Sequence, residues 1–507
     1  MSKAIEGLTP PLLWKYFAEI SKIPRGSKNE AAITKYVAAT AKRLGLAFQV
    51  DRFGNVVVRK PATAGRAQAP SVALQGHLDM VCEKNKDKVH NFEKDPIVLV
   101  RKGNELMADG TTLGADNGVA VATNLAIMED TSLQHGPLEL LFTVDEETGL
   151  TGANNLGPDF LQSKILINLD SEELGALTVG CAGGRTTTAR WEAARDDAPA
   201  KAVAAHVTVK GLRGGHSGLE IDKGRGNAIK ILARVLRALD EAGVRIASIE
   251  GGNKHNAIPR EAQAKVSVPA AAWEAAAARV AALAPVLKAE IAAVDPDLAI
   301  AIEPVKAGGK LKVLKKALQK KLLAALSALP HGVVKMSAEI AGLVETSLNI
   351  AIIKTTPKAI ELVTSQRSSV ASEIDEICQT VEDIATLAGA AVKTADGYPG
   401  WKPDLDSPIL KIAKRTYAEL FGKEPEVAAV HAGLECGIIG EKYPGMDMVS
   451  MGPSISGVHS PDEKIEIDTV PKYWTHLLAI LKSVSDEAGA SAQTEPLGAQ
   501  YPGWSAH

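Results

Sequence analysis

LELLFTVDEETG, residues 138–149, is the stretch on which the reading of this chain turns. An apolar run of this length, closed by a cluster of acids, reads as a strand buried on both faces. SVALQGH (71–77) and KILINLD (164–170) repeat the pattern: a short apolar run, then His or Asp at its end. Around them lie stretches with helical apolar spacing, PLLWKYFAEISK (11–22), KNEAAITKYVAATAKRLGLAF (28–48) and GVAVATNLAIME (118–129), and a further strand, NVVVRK (55–60). Strands alternating with helices imply an α/β layer fold with a mixed, mostly parallel sheet flanked by helices. In such folds polar side chains at the carboxyl ends of strands line the functional site. The acids at 145–147 and 170 and the histidine at 77 all fall there.

The chain has 507 residues, more than one ordinary core accommodates, so two domains are the default. It is 46% hydrophobic and 23% charged with a formal net charge of −3, which gives no basis for a nucleic-acid or anionic-membrane partner. Its four cysteines (Cys82, Cys181, Cys378, Cys436) form no CxxC pair, so neither a disulfide framework nor a thiolate zinc site is indicated. The N-terminus lacks the apolar core of a secretory signal, and no run of about 18 apolar residues is evident, so a cytoplasmic protein is expected.

The texture changes after GCAGG (180–184), where polar alternation suggests antiparallel strands. A helix-like stretch at 227–243 and strands at about 246–251 and 261–269 follow. A similar succession then runs to SQRSS at 365–369. Residues 186–390 therefore read as an inserted α+β lid domain with two halves of like element order. Residues 1–185 and 391–490 form the catalytic domain, and 491–507 a tail. YPGW occurs at 398–401 and again at 501–504.

The candidate chemistry collects on five motifs. In GHLDM, His77 and Asp79 are two apart at a strand end and so share a face. Imidazole binds a divalent metal well when its other nitrogen meets a carboxylate, a role open to Asp79. Asp116 in LGADNG lies between two glycines, and small neighbours let a carboxylate approach two cations. Read alone it is an ordinary Asp/Asn–Gly turn. Glu146 and Glu147 repel each other unless a cation is near, and their adjacency lets one bind metal while the other faces substrate. Asp170 ends an apolar strand, where an unpaired carboxylate is costly. His459 sits in the Gly/Ser/Pro loop SGVHSP. Two histidines and three carboxylates (His77, Asp116, Glu147, Asp170, His459) make a five-donor set for two metal ions, leaving Asp79 and Glu146 for proton chemistry. Nitrogen and oxygen donors without thiolate suit Zn²⁺ first, with Mn²⁺ or Co²⁺ also accepted. Two such ions about 3.5–4 Å apart polarise a carbonyl and acidify a shared water, and a free carboxylate then moves that proton to the leaving amine.

Together, HLD…ADNG…DEETG…NLDSEE…GGHSG…VHSP resembles the dinuclear-zinc exopeptidases related to carboxypeptidase G. HNAIPR (255–260), SQRSS (365–369), YPGWKPD (398–404) and HAGLECG (431–437) look most like the aminoacyl-histidine (Xaa-His, carnosinase-type) dipeptidases within that group. The resemblance implies that Asp116 bridges the metals, with His77 and Asp170 on one and Glu147 and His459 on the other. Glu146 is then the general base and acid, and Asp79 orients His77. It also makes Asp116–Asn117 a candidate cis peptide. On the inserted domain, His216 in GLRGGHSG is a candidate to stabilise the oxyanion, and Arg367 to hold a substrate carboxylate. Asn256 is a candidate donor to that carboxylate or carbonyl, and Glu435 a partner for the substrate ammonium. Pinning both termini would select dipeptides, and closure of the inserted domain would exclude water. Xaa-His dipeptides, including β-Ala-His, are the expected substrates. An N-acyl-amino-acid deacylase or carboxypeptidase is the alternative, and a catalytically inactive metal-dependent binding protein the reading from another class. Smaller relatives pair through the inserted domain, so a homodimer is one expectation and internal replacement of the partner by the duplicated insert another.

Overall fold

The computed structural model describes residues 3–306 and 311–493. The second YPGW and residues 494–507 of the expected tail lie outside them. The chain divides into two compact units: Met1–Val179, Asp404–Ala428 and Ile438–His507 form the first, and Gly180–Pro403 with Ala429–Gly437 the second. The sequence placed the change at 186 and 391. The strand Gly183–Glu192 already belongs to the second sheet from its first residue, which puts the first division earlier; the second comes later, after Pro403, and Ala429–Gly437 falls in the second unit as well.

The first unit is built on an eight-stranded sheet in the order Ala47–Val50, Val56–Lys60, Leu138–Thr143, Val72–His77, Ile165–Asn168, Asp447–Ser450, Ala176–Cys181, Glu426–Val430. Its four central strands, Leu138–Thr143 to Asp447–Ser450, run parallel. The strands Ala47–Val50 and Val56–Lys60 join antiparallel, as does Ala176–Cys181. The sheet is therefore mixed, with its parallel part confined to the centre. Leu138–Thr143 and Val72–His77 are buried at every position, which explains their unbroken apolar runs. A polar ladder crosses this centre. Gln75 Nε2 donates to Thr143 Oγ1 at 3.1 Å, Asn168 Nδ2 to Gln75 Oε1 at 2.6 Å, and Ser450 Oγ to Asn168 Oδ1. Each member satisfies another, so buried polarity here sets strand register instead of opposing burial.

Three local expectations change. The strand expected over 138–147 stops at Thr143, because Asp145 takes a left-handed φ of 52° and a short helix, Glu146–Gly149, follows. The helix expected over 28–48 is Ala31–Arg43; Gly45 at φ 69° ends it, and Ala47–Val50 becomes the edge strand. The helix expected from 118 begins at Ala115, with Asp116 and Asn117 outside helical geometry and a cis peptide between them. That helix packs on Val72–His77. A smaller antiparallel sheet, Ile455–Ser456, Lys464–Glu466, Glu105–Ala108 and Leu99–Lys102, holds the base of the 457–463 loop.

The second unit carries a nine-stranded antiparallel sheet. One half, Ala202–Lys210, Ala228–Asp240, Arg245–Gly251, Ala262–Pro269, Trp273–Ile291 and Ala299–Pro304, runs β-α-β-β-α-β. The other, Gly183–Glu192, Lys316–Ala328, Val344–Thr355, Ala359–Ser368, Ala371–Leu387 and Ala391–Thr394, repeats that succession, with Gly332–Met336 added. Their strand orders mirror each other about the Arg245–Gly251/Val344–Thr355 junction. The first half is thus inserted into the second, and the ribbon Arg195–Asp197/Lys312–Leu314 closes the insertion. Asn227 and Lys230 tie the halves together. The Asn227 side chain caps the helix Ala228–Asp240 and donates to Ile350 O at 2.8 Å, while Lys230 Nζ donates to Leu326 O, Ser327 O and Leu329 O.

One compositional expectation is corrected. Residues Ala270–Ile291 are, by length and composition, long and apolar enough to cross a membrane, with mean hydropathy 1.3, where no such run was expected. Alanine supplies that index without bulk, and only 17% of the segment is buried. Two of its charges pair with neighbours in the same unit, Arg279 with Glu241 at 2.9 Å and Glu290 with Arg234 at 2.5 Å.

Candidate active site

In the first unit, loops at the carboxyl ends of the parallel strands bring the five donors into two overlapping groups. Donor atoms of His77, Asp116 and Asp170 lie within 4.8 Å of one another, and so do those of Asp116, Glu147 and His459. Asp116 is common to both, and each of its oxygens faces a different histidine. Oδ1 is 3.1 Å from His77 Nε2, and Oδ2 is 3.2 Å from His459 Nε2. His77 Nε2 is also 3.6 Å from Asp170 Oδ1, and His459 Nε2 is 3.0 Å from Glu147 Oε2. Glu146 shares a third group with His77 and Glu147.

Asp79 sits behind this cluster, fully buried. Its Oδ1 is 3.3 Å from His77 Nδ1 and accepts the Glu146 N–H at 3.0 Å. Its Oδ2 accepts the Glu147 N–H at 3.2 Å and Ser27 Oγ at 2.8 Å. One carboxylate therefore lies against the imidazole and accepts from the backbone of both glutamates. With Nδ1 on the side of Asp79, Nε2 of His77 faces Asp116 and Asp170.

The electrostatics follow from four acids around two imidazoles. Burial alone would depress His77, but Asp170, Asp116 and Asp79 hold it well above its ordinary value. Hydrogen bonds that His459 donates to Asp116 and then Glu147 hold it up to about 11, against burial. Burial pushes Asp79 up, and the stronger pull of His77 and the backbone donors leaves it at about 2. Asp116 is likewise lowered by both histidines despite burial. Glu147 Oε1 is buried and makes no hydrogen bond among the described residues. Excess carboxylate, an orphaned carboxylate oxygen and two imidazole nitrogens converging on the acids suit divalent cations, which would take the place of the imidazole protons.

In the second unit, the strand pair Gly215–His216/Ala257–Ile258 joins the GGHSG and HNAIPR segments, and Ser217 N donates to Asn256 O at 2.9 Å. His216 Nδ1 accepts the backbone N–H of Gly218 at 3.2 Å and of Leu219 at 3.1 Å. A ring nitrogen that accepts twice carries no proton, so neutral His216 presents Nε2–H as a donor. Burial, then Arg367, lowers it to about 4, so it stays neutral in neutral solution. A methyl group at Gly218 would collide with the His431 carbonyl and lie 3.3 Å from Arg367 Nε, so glycine is what permits this approach.

Arg367 is almost fully buried at the end of the strand Ala359–Ser368. Its Nη1 donates to Tyr398 OH at 2.7 Å, and its Nε has no hydrogen-bond partner among the described residues. It also depresses His216, His255 and His431, after burial. A buried guanidinium with an unpaired Nε among neutral imidazoles suits an anion. Glu435 is also buried and opens the helix Glu435–Lys442. The structure thus gathers the metal-type residues and both spare acids in the first unit, and His216, Asn256, Arg367 and Glu435 in the second.

Sequence reasoning passed over Tyr398, His431 and Ser347, whose Oγ is 2.7 Å from His431 Nε2. It also passed over Arg25 and Glu463, both buried beside the Asp116 turn. Glu463 had a signal, an acid four residues after His459 on the same loop; Arg25, in IPRGS, had none.

Residues 73–483 match the model of peptidase family M20/M25/M40. The chain belongs to that family. It is a peptide-bond hydrolase of mixed α/β architecture. It is 42% identical to the cytosol non-specific dipeptidase of Escherichia coli (strain K12), over 94% of this chain and 98% of that one. Its structure resembles that of an aminoacylhistidine dipeptidase from Vibrio alginolyticus, with TM-score 0.87 and 41% identity over 94% of this chain and 98% of the other. Aminopeptidase PepT from Bacillus cereus shares the fold, with TM-score 0.55 and 18% identity over 94% and 99% of the two chains.

Proposed function

We propose that this chain is a metal-dependent dipeptidase that hydrolyses free dipeptides, Xaa-His and β-Ala-His among them, in the cytoplasm. The observation that carries the reading is Asp116, shared by two donor groups with Glu146 within the same reach. Two relatives at 42% and 41% identity, one named a non-specific dipeptidase and one an aminoacylhistidine dipeptidase, support the substrate class.

In this reading His77 and Asp170 would hold one divalent cation and Glu147 and His459 a second, with Asp116 within reach of both. The donor set favours Zn²⁺ and accepts Mn²⁺ or Co²⁺. Such a pair, when bound, polarises the scissile carbonyl and acidifies water. The remaining work belongs to the chain. Asp79 fixes the His77 ring and the Glu146–Glu147 backbone. Glu146 takes the proton from the attacking water and delivers it to the leaving amine. His216 Nε2–H donates to the oxygen that becomes negative as the carbonyl is attacked, and needs no proton uptake to do so. Arg367 and Asn256 receive the substrate carboxylate, and Glu435 its ammonium, which limits the substrate to two residues.

The test is hydrolysis of Ala-His and β-Ala-His by chelated enzyme and again after Zn²⁺ is restored, beside N-acetylated and tripeptide controls. Metal-restored cleavage of the free dipeptides alone is the expected result. Cleavage of the N-acetylated substrate instead overturns the dipeptidase reading in favour of a deacylase.

A further inference from the structure

Outside the donor set, two buried charged side chains in the first unit grip the backbone of two metal-type motifs, and one of them sits on the loop that carries a third. Glu463 is 2% exposed. Its Oε2 accepts the N–H groups of Leu113 at 2.7 Å and Gly114 at 2.9 Å, and its Oε1 those of Ala115 at 2.7 Å and Asp116 at 3.1 Å. Arg25 is 3% exposed and works from the other side. Its Nη1 donates to Leu78 O at 2.9 Å and Asp79 O at 2.8 Å, and its Nη2 to Gly114 O. Gly114 is thus held by its N–H from Glu463 and by its C=O from Arg25.

The molecule is shaped to admit this pair. A Cβ at Gly114 would lie 2.6 Å from Arg25 Nη2, and one at Gly118 2.5 Å from the same atom. Neither glycine can carry a side chain while Arg25 keeps its place. Glu463 also lies four residues beyond His459 on the loop whose base is the Ile455–Ser456/Lys464–Glu466 pair. His459 itself is half-exposed, with a left-handed φ of 59°. The Glu463 carboxylate therefore links the loop that presents His459 to the turn that presents Asp116, and Arg25 links that turn to the strand end that presents His77.

We infer that Glu463 and Arg25 are positioning residues that set the separation of His77, Asp116 and His459, and with it the affinity for divalent cations. This inference rests on the reading of Asp116 as the shared ligand. Four N–H donors on one carboxylate fix its plane. Two-pronged donation by a planar guanidinium fixes the two motifs it joins.

Glu463→Gln tests it, because the amide keeps the shape and turns one oxygen into an NH₂ facing two backbone N–H groups. Zn²⁺ affinity and stoichiometry are measured by competition with a chromophoric chelator, beside the thermal midpoint of the metal-free protein. Wild type binds two ions per chain, and the variant binds them about 10–100-fold more weakly, the usual cost of losing an outer-sphere partner. At saturating Zn²⁺ kcat returns to near the wild-type value, because Glu146 is untouched. If wild type binds two ions and Glu463→Gln binds them with unchanged affinity, whatever its midpoint, the positioning role is overturned. If wild type does not bind two ions, or Asp116→Ala binds them as tightly, the metal reading itself fails. Should Glu463→Gln not fold, Arg25→Lys keeps the charge and loses the fork. A weakened Zn²⁺ affinity supports the inference there too, and an unchanged one overturns it.

Discussion

Replacing Asp79 with asparagine isolates one carboxylate whose contacts are fully defined. Its oxygens meet four donors or donor-bearing groups: His77 Nδ1 at 3.3 Å, Glu146 N at 3.0 Å, Glu147 N at 3.2 Å and Ser27 Oγ at 2.8 Å. Asparagine keeps one oxygen, so whichever way the amide lies, an NH₂ faces at least one backbone N–H. If it faces the Oδ1 side, His77 Nδ1–H and Glu146 N lose their acceptor. If it faces the other, Glu147 N does. A buried, charge-assisted hydrogen bond contributes about 1.5–3 kcal/mol. Converted at about 1.4 kcal/mol per decade, that is a loss of about 10–150-fold in kcat/KM. The ring of His77, no longer tied at Nδ1, should also weaken Zn²⁺ binding. The assay is kcat/KM for Ala-His across a Zn²⁺ titration, with Zn²⁺ affinity measured separately. Activity and affinity both within about twofold of wild type would refute the claim that Asp79 orients the site.

Other outcomes follow from the same geometry. Glu146→Gln should keep both metal ions, measured by elemental analysis, while kcat falls about 10²–10⁴-fold, the range for loss of a general base; undiminished kcat rejects its proton-transfer role. Arg367→Ala should mainly raise KM for free dipeptides, with little change for C-terminally amidated ones, and an equal effect on both removes its carboxylate role. His476, 2% exposed and hydrogen-bonded to Ala413 O at 2.9 Å, is pushed down to about 4 by burial. Its unfolded value is about 6.5, so between these two values the unfolded chain binds the extra proton and stability falls as pH falls. That is about 2 kcal/mol at pH 5 relative to pH 8. His476→Gln should flatten the pH dependence of denaturant midpoints by that amount, and an unaltered slope would show that His476 is not held neutral.

Much of the site was legible because its chemistry sits on short motifs at strand ends. Apolar runs buried on both faces cannot carry a stray carboxylate cheaply, so Asp170 and the acids after Phe142 announced a function. Period-two spacing tied Asp79 to His77, and the structure puts them 3.3 Å apart. The duplicated insert was legible in element order alone, since each half needs the same succession to bury one face of its sheet. Strand ends were less so. Asp145 in a left-handed conformation ends the strand before the acids, and nothing in TVDEE marks that turn.

Residue types, their order along the chain and the alternation of buried strands with helices were determined by sequence, because each depends on neighbours within a few positions. The tertiary structure alone decided what joins distant positions. Asp116 touches His77 and His459 across 39 and 343 residues, which divides the donors into two sets sharing one carboxylate. His216 was a candidate from its loop, but only the folded N–H groups of Gly218 and Leu219 decide which of its nitrogens carries the proton. Arg25 and Glu463 show the limit most clearly: their partners are backbone atoms, which carry no side-chain signature for a sequence to display.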